Sequence, residues 1–377
     1  MTVSAGQGRG AGGAPAALIL ALAAGLVGYL VATRWLGDDR GPVERTFQVM
    51  NTQARLVIPS GTGQASASRL ADMAEAAIRD VDRLMGPFGE ESDIRRLNDA
   101  KAGEWVEVSP LTWTVVMDAL RWHRLSDGAF DPTIGPLKRL FTFDGQELTE
   151  WPDEKTLEDA RAMVGADNLL FEREGMRLSW KRSGMRLDLG AIAKGFSADQ
   201  AVDVLLREGV RSALVEVGGE IRTIGMKAGD RPWRTGVRDP RGERVLSISE
   251  MADGAVATSG DYESYFMFKG KRYQHIIDPR AGSPITGGAA SVTVRHPDSC
   301  MAADALATTL VVLGPEEGGR FLKDQALGLF VDGVEAEMYM ADAESVVRKY
   351  VFTVDGDGGY SIREEAVGAA AEVPADE

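Results

Sequence analysis

Cysteine is almost absent from this chain of 377 residues. Cys300 stands alone, so no internal disulfide can form, and histidine is nearly as scarce, with only His123, His275 and His296. That inventory excludes the common zinc ligand sets, and a metal in this protein is expected to be held by oxygen. Positive charge is also in deficit. Lys and Arg number 42 against 57 for Asp and Glu, a net charge of -15, and no basic stretch offers a track for a phosphate backbone. Nucleic acid is thereby excluded as a partner. Internal repeats and long low-complexity linkers are lacking too. There is one long apolar run, Ala14 to Ala32, which carries no charge, follows a Gly-rich leader (1–13) with Arg9, and precedes Arg34. It reads as either a signal peptide or a single membrane anchor spanning 14–36. Its length, close to the roughly 20 residues that cross a bilayer, favours the anchor.

Between this segment and a tail rich in Ala, Glu and Pro (366–377), expected to be disordered, the chain mixes two periodicities. Leu70, Met73, Ala77, Val81 and Leu84 recur at helical spacing within Ser68 to Met85, and Leu111 to Leu125 and Glu154 to Met163 read the same way. Strand-like runs occur at Arg55–Ile58, Ala213–Val217, Ser291–Arg295, Gly328–Val331 and Tyr350–Val354. The pattern predicts an α+β domain over 45–365, a mixed fold with its sheets covered by helices.

Four segments carry candidate chemistry. LDLGAIAKGF, from Leu187, reads as a strand-like opening, a turn at Gly190 and a helix whose apolar side holds Ile192, Phe196, Ala198, Ala201, Val202 and Leu205. Such a turn offers N–H groups to an anion. Lys194 in the first helical turn opposes the helix dipole unless an anion is present; the other reading is a solvated lysine and a capping Asp188. SCMAADALATTL places Asp304 and Thr308 four residues apart, on one helical face. This is either a hard-oxygen pair suited to magnesium or a threonine bonded back to the Asp304 carbonyl. Within RYQHIIDPRAG, His275 alternates with Ile276 along a strand that ends in a turn, where a neutral imidazole can accept a hydroxyl proton. Just upstream, Thr258, Ser259 and Asp261 are positioned to orient phosphate or acceptor, and Gly260 suggests a close backbone approach. The paired glycines of VEVGGEIRTIG lack the full dinucleotide fingerprint, so a Rossmann domain is not supported. Buried Cys300 is read as packing, not as a nucleophile.

Together with DGAFDPTIGPL from Asp127, these segments closely resemble the ApbE family of flavin transferases in combination and order, from about Met50 to Leu313. The resemblance implies an enzyme that moves FMN from FAD onto a protein. It implies flavin contacts from Met50, Phe88, Phe130, Asp131, Asp188, Lys194, Thr258, Ser259 and Ile277. It implies magnesium ligation by Asp304, Thr308 and the carbonyls of Ala191 and Ala307, with His275 as general base. The expected reaction is attack of an acceptor threonine or serine hydroxyl on the FMN phosphorus of FAD, expelling AMP; the alternatives are an FAD pyrophosphatase using water and a non-catalytic FAD-binding protein. The expected partners are FAD and an exported or respiratory flavoprotein with a threonine-containing motif. The expected location is the bacterial inner membrane, with the domain on its periplasmic side, or the exported space itself after signal cleavage. Two positions depart from the family pattern: Asn51 stands in Met-Asn-Thr where Met-Gly-Thr is usual, and Phe88 where a tyrosine commonly lies against the flavin. Glu220 stands where many relatives carry aspartate.

Overall fold

The computed structural model describes residues 42–59, 66–227, 230–325, 333–342, 345–354 and 359–367. The leader, the apolar segment 14–36 and the strand expected at Gly328–Val331 lie outside the described residues, as does most of the tail. Among the described residues no helix is long and apolar enough to cross a membrane.

Seventeen described strands and seven helices confirm an α+β architecture. Nine strands form one antiparallel sheet: β1 (Val43–Val49), β2 (Thr52–Ile58), β6 (Ala213–Val217), β7 (Glu220–Ile224), β10 (Gly254–Gly260), β14 (Ala289–His296), β15 (Val334–Ala341), β16 (Val346–Val354) and β17 (Tyr360–Glu365), in that spatial order. Three small sheets surround it: β3 (Val106–Glu107) with β5 (Arg177–Trp180) and β4 (Leu169–Glu172); β8 (Trp233–Arg238) with β9 (Val245–Met251); and β11 (Tyr265–Phe268) with β12 (Lys271–Asp278) and β13 (Ser283–Thr286). The helices are α1 (Ala67–Met85), α2 (Asp93–Asp99), α3 (Pro110–Leu125), α4 (Gly135–Lys138), α5 (Glu154–Arg161), α6 (Ala193–Arg207) and α7 (Cys300–Gln325), the last interrupted at Gly314 with φ 67°.

Two helices position the site. α6 packs on β6 and β7, and α7 on β10 and β14, while the two touch each other, so their first turns meet above the centre of the large sheet. β14 lies between β10 and β15 and is buried along nearly its whole length, as a central strand covered on both faces must be. The apolar face of α6 is the expected one, with Phe196, Ala198, Ala201, Val202 and Leu205 all buried. The stripe of α1 is rotated from the expected one. Leu70, Ala71, Ala74, Ile78, Val81 and Met85 are buried, whereas Met73, Ala77 and Leu84 are only half-buried. Alanines, small enough to let α6 approach, form the contact side. No strand forms at Leu187–Leu189; that stretch is held by single bonds instead, Asp188 N–H to the Pro132 carbonyl at 2.8 Å and Leu187 N–H to Asn98 Oδ1 at 2.7 Å.

A second core explains the segment around Trp151. Leu137, Phe141, Leu157, Phe266 and Ile277 are buried together, with Trp151, Phe268 and Tyr273 packed around them. Residues 134–164 thus brace the β11–β12 hairpin, and Phe143 stands edge-on to His275. Val367, placed in the disordered tail by its composition, packs against the cluster of Val237, Tyr339 and Val346, so order extends at least that far.

The β1–β2 hairpin accounts for one departure from the family pattern. Val49 pairs with Thr52, so Met50 and Asn51 form a two-residue turn with φ of 50° and 56°. Both central residues of such a turn need positive φ, and asparagine is among the side chains that tolerate it. Asn51 is therefore compatible with the turn this hairpin makes.

Candidate active site

The first turns of α6 and α7, the end of β10, the β12 strand and the 129–134 loop enclose a cavity. Phe130, Ile134, Ile276, Ile277, Pro279 and Val312 form its apolar walls. Its polar lining is Asp131, Lys138, Asp188, Lys194, Thr258, Ser259, Glu263, His275, Asp304 and Thr308. Eleven of the fourteen expected site residues line it, including Ala191. A polar groove lined by Met50, Asn51, Gln53, Arg55, Glu216, Gly218 and Gly219 adjoins it, and the two share Lys194, Glu263 and His275. The inner cavity measures about 100 Å³ and the groove about 640 Å³. A dinucleotide has to extend through the shared junction, since pockets for molecules of drug size already run to several hundred Å³.

Three expected residues stand elsewhere. Met50 lines the groove, where the hairpin turn presents it and its N–H donates to Asp82 Oδ2 at 3.2 Å. Phe88 lies in the loop after α1, 80% exposed and outside both linings. Ala307 is fully buried in the core side of α7 and is absent from the lining.

His275 is held by one residue. Its backbone N–H donates to the Ser264 carbonyl at 3.0 Å, and its Nδ1 lies 3.2 Å from the same oxygen. A carbonyl only accepts, so Nδ1 carries the proton and Nε2 keeps the lone pair that a general base needs. Burial, with Lys138 and Lys194 nearby, pushes the imidazole down to about 4. It is therefore neutral over the whole physiological range.

The helix meeting point departs from the anion-cradle expectation. Gly195 N–H donates to Asp304 Oδ2 at 3.0 Å, Ala193 N–H to the Leu189 carbonyl at 2.9 Å, and Phe196 N–H to the Ile192 carbonyl at 3.1 Å. These amides are spent inside the protein. The conflict of Lys194 with the helix dipole is likewise resolved internally, because its ammonium is paired with the buried Glu220 carboxylate. Burial alone would lower Lys194, but Glu220 and Asp304 outweigh it and the lysine stays charged. Asp188 does not cap α6 either: Oδ1 accepts the Gly190 N–H at 2.9 Å and Oδ2 pairs with Lys138 at 2.8 Å.

Asp304 and Thr308 do share a face of α7. The Thr308 hydroxyl is bonded to Ser259 at 3.0 Å; the backward bond to a helix carbonyl is made by its neighbour Thr309, to Ala305 at 2.7 Å. Asp304 is 2% exposed, and burial holds its carboxyl above the usual range, partly offset by Lys194 and the Gly195 N–H. Asp261, expected to orient ligand, is instead gripped by Arg241 through two bonds of 2.6 Å and ties β10 to the β8–β9 hairpin. Asp131 is also largely occupied, accepting the Thr133 N–H at 2.7 Å and hydroxyl at 2.6 Å, with His123 Nδ1 3.3 Å away. Cys300 is fully buried and its thiol pushed well up by burial, so it is no nucleophile.

Asp131, Asp188, Glu263 and Asp304 in the lining, with Glu220 behind Lys194, face two lysines of that lining, with Arg238 also acting on Glu263 from outside it. Burial pushes Glu220 up to about 8 and raises Glu263, and the Oε2 of Glu220 has no hydrogen-bond partner among the described residues. The cavity is thus short of positive charge. A hard divalent cation fits that deficit, with the Asp304 carboxylate, the Thr308 hydroxyl and the Ala191 backbone as oxygen donors. Among the described residues no three His, Cys, Asp or Glu side chains form a metal-binding group, so such an ion depends on water and substrate oxygens to complete its shell. Lys138 and Glu263 carried no sequence signal, lying outside recognisable spacing.

Gly195 makes the α6–α7 approach possible. A Cβ there would overlap the Cys300 carbonyl and lie 2.9 Å from Asp304 Cβ. Gly195→Ala is expected to lower stability by about 1–3 kcal/mol through overpacking, read as a fall in Tm, and to move Asp304.

The ApbE family model matches residues 50–331. Among curated proteins the chain is 39% identical over 276 residues to the FAD:protein FMN transferase of Vibrio cholerae, covering 72% of this chain and 80% of that protein. It is 32% identical to the enzyme of the same name from Haemophilus influenzae, covering 73% and 81%. Among solved structures it resembles the ApbE protein of Thermotoga maritima (TM-score 0.71, 33% identity, 79% and 94% covered) and the flavin transferase ApbE of Vibrio cholerae (TM-score 0.71, 32% identity, 82% and 96% covered).

Proposed function

The chain belongs to the ApbE family, and from that premise we propose that it transfers the FMN moiety of FAD to a threonine or serine hydroxyl of an acceptor flavoprotein, releasing AMP, with magnesium in its cavity. The observation that carries this reading is the junction itself. A neutral imidazole of fixed tautomer and a charged lysine stand where the inner cavity meets the groove, and the buried Asp304 with the half-buried Thr308 lines the cavity side of that junction.

The residues divide the work as follows. Lys194, fixed by Glu220, attracts the pyrophosphate. His275 takes the hydroxyl proton at Nε2 as the acceptor oxygen bonds to the FMN phosphorus; the bond from that phosphorus to the bridging oxygen breaks, and AMP departs with that oxygen. Ser259 orients the Thr308 hydroxyl toward the cavity. Asp304, Thr308 and the Ala191 carbonyl would hold the magnesium, which supplies Lewis-acid stabilisation of the charge developing on the phosphoryl oxygens. Asp188, Phe130 and Ile277 would contact the flavin nucleotide from the inner wall, and Met50 from the groove. The uncharged run Ala14–Ala32 supports a membrane anchor or an export signal; the periplasmic side, and with it an exported flavoprotein as acceptor, follows from the family resemblance.

The test is to incubate the full chain in detergent with FAD, magnesium and a threonine-bearing acceptor domain, and to weigh the intact acceptor by mass spectrometry. The expected result is a gain of one FMN unit that chelator abolishes. AMP release without that gain would replace the transferase reading with a pyrophosphatase, and neither would leave a flavin-binding protein.

A further inference from the structure

Lys138 closes the short helix α4 in the segment that braces the β11–β12 hairpin. Its backbone is anchored: its N–H donates to the Ile134 carbonyl at 3.1 Å, and the adjacent Leu137 is fully buried in the second core. Its side chain reaches into the cavity, where Nζ lies 2.8 Å from Asp188 Oδ2. Gly190 leaves room for the carboxylate: a Cβ at that position would lie 3.0 Å from Asp188 Oδ1, whereas its 3.6 Å from Lys138 Nζ would be ordinary contact. With Oδ1 bonded to the Gly190 N–H and Oδ2 to Lys138, the carboxylate is held at two points, and the bond of the Asp188 N–H to the Pro132 carbonyl fixes the backbone beneath it.

We propose that Lys138 is a positioning residue for FAD: its ammonium holds the Asp188 carboxylate in one orientation at the inner wall, so that this side chain meets the substrate preorganised. The proposal rests on the flavin-transferase reading. Nothing in the sequence marks Lys138, which reaches Asp188 across 50 residues of chain. The charge has a second consequence, because the groups acting on His275 are Lys138, Lys194 and Asp188, with the Ser264 carbonyl at Nδ1 and Glu263 in the shared lining. Lys138 and Lys194 disfavour the imidazolium and Asp188 favours it. Asp188 in turn is pushed up by burial but brought below its usual range by Lys138, with help from the Gly190 N–H and His275.

The experiment is FAD binding by equilibrium dialysis with the full chain in detergent, for wild type, Lys138→Met, Lys138→Arg, Asp188→Asn and the Lys138→Met/Asp188→Asn double variant. Lys138→Met is expected to bind FAD about tenfold more weakly and Lys138→Arg within about threefold of wild type. Once Asp188 is asparagine, Lys138→Met should add no further loss. The acid limb of kcat/KM for transfer should move to higher pH in Lys138→Met and stay in place in Lys138→Arg. Unchanged FAD binding in Lys138→Met overturns the proposal. So does an equal further loss in the double variant, which would make Lys138 a direct substrate contact. Melting curves establish that each variant folds, and Lys138→Gln serves if the methionine variant does not. Failure of the wild type to bind FAD would strike at the functional reading instead, so the two failures are distinguishable.

Discussion

Asp304→Asn should lose flavin transfer by about 10³-fold or more while the protein remains folded. Asparagine keeps an oxygen for the Gly195 N–H, so the α6–α7 junction is preserved, but it removes the negative charge that a magnesium ion requires. The same change should leave stability in chelator unchanged or raise it by about 1 kcal/mol. A carboxylate at 2% exposure without its counter-ion is desolvated at a cost, and a neutral isostere escapes it. The linkage has a definite sign. The folded-state carboxyl of Asp304 lies above its unfolded value, so the native state binds the proton more tightly, and this group favours folding more as pH falls through its raised value. Stability and function thus oppose each other at one residue. The checks are FMN incorporation by intact-protein mass and a Tm series with chelator and with magnesium. Retained magnesium-dependent transfer in Asp304→Asn would remove the metal assignment.

His275→Ala should reduce transfer by about 10²–10⁴-fold, the usual contribution of a general base, with FAD binding within a few fold of wild type. The pH profile is the sharper measurement. Because burial and the two lysines push this imidazole down to about 4, the base stays unprotonated in the free enzyme at and above pH 5. The kcat/KM profile should be flat on its acid side down to about pH 5 and fall as pH drops through about 4. A limb near 6.5, the ordinary value for histidine, would mean that the titrating group is not this buried His275.

Much of the site was legible in sequence. Asp304 and Thr308 sit at helical spacing, and spacing within one helix fixes a shared face whatever the surroundings. His275 was legible by its place on a strand between polar and apolar neighbours. Elements such as Ala213–Val217, found with the expected bounds, and the buried side of α6 follow from the same local rule. The stripe of α1 was read less well. Leu70 and Val81 are buried as expected, but Ala71, Ala74, Ile78 and Met85 complete the buried side in place of Met73, Ala77 and Leu84, and which side faces a partner is not written in one helix alone.

Local patterns in the chain thus yield an inventory: an α+β chain, a hard-oxygen pair on one helix, a histidine near the end of a strand, and one turn that tolerates asparagine. The tertiary structure decided which charges answer one another. Lys194 meets Glu220 from 26 residues away, Gly195 N–H meets Asp304 from 109, and Asp261 is taken from the site by Arg241. It also decided that the Ala193, Gly195 and Phe196 N–H groups of the α6 turn serve the protein itself. The physical reason is the range of the forces involved. Periodicity is set by backbone geometry over a few residues, whereas the charge state and orientation of a buried group depend on desolvation and on partners that only the completed fold brings within about 4 Å.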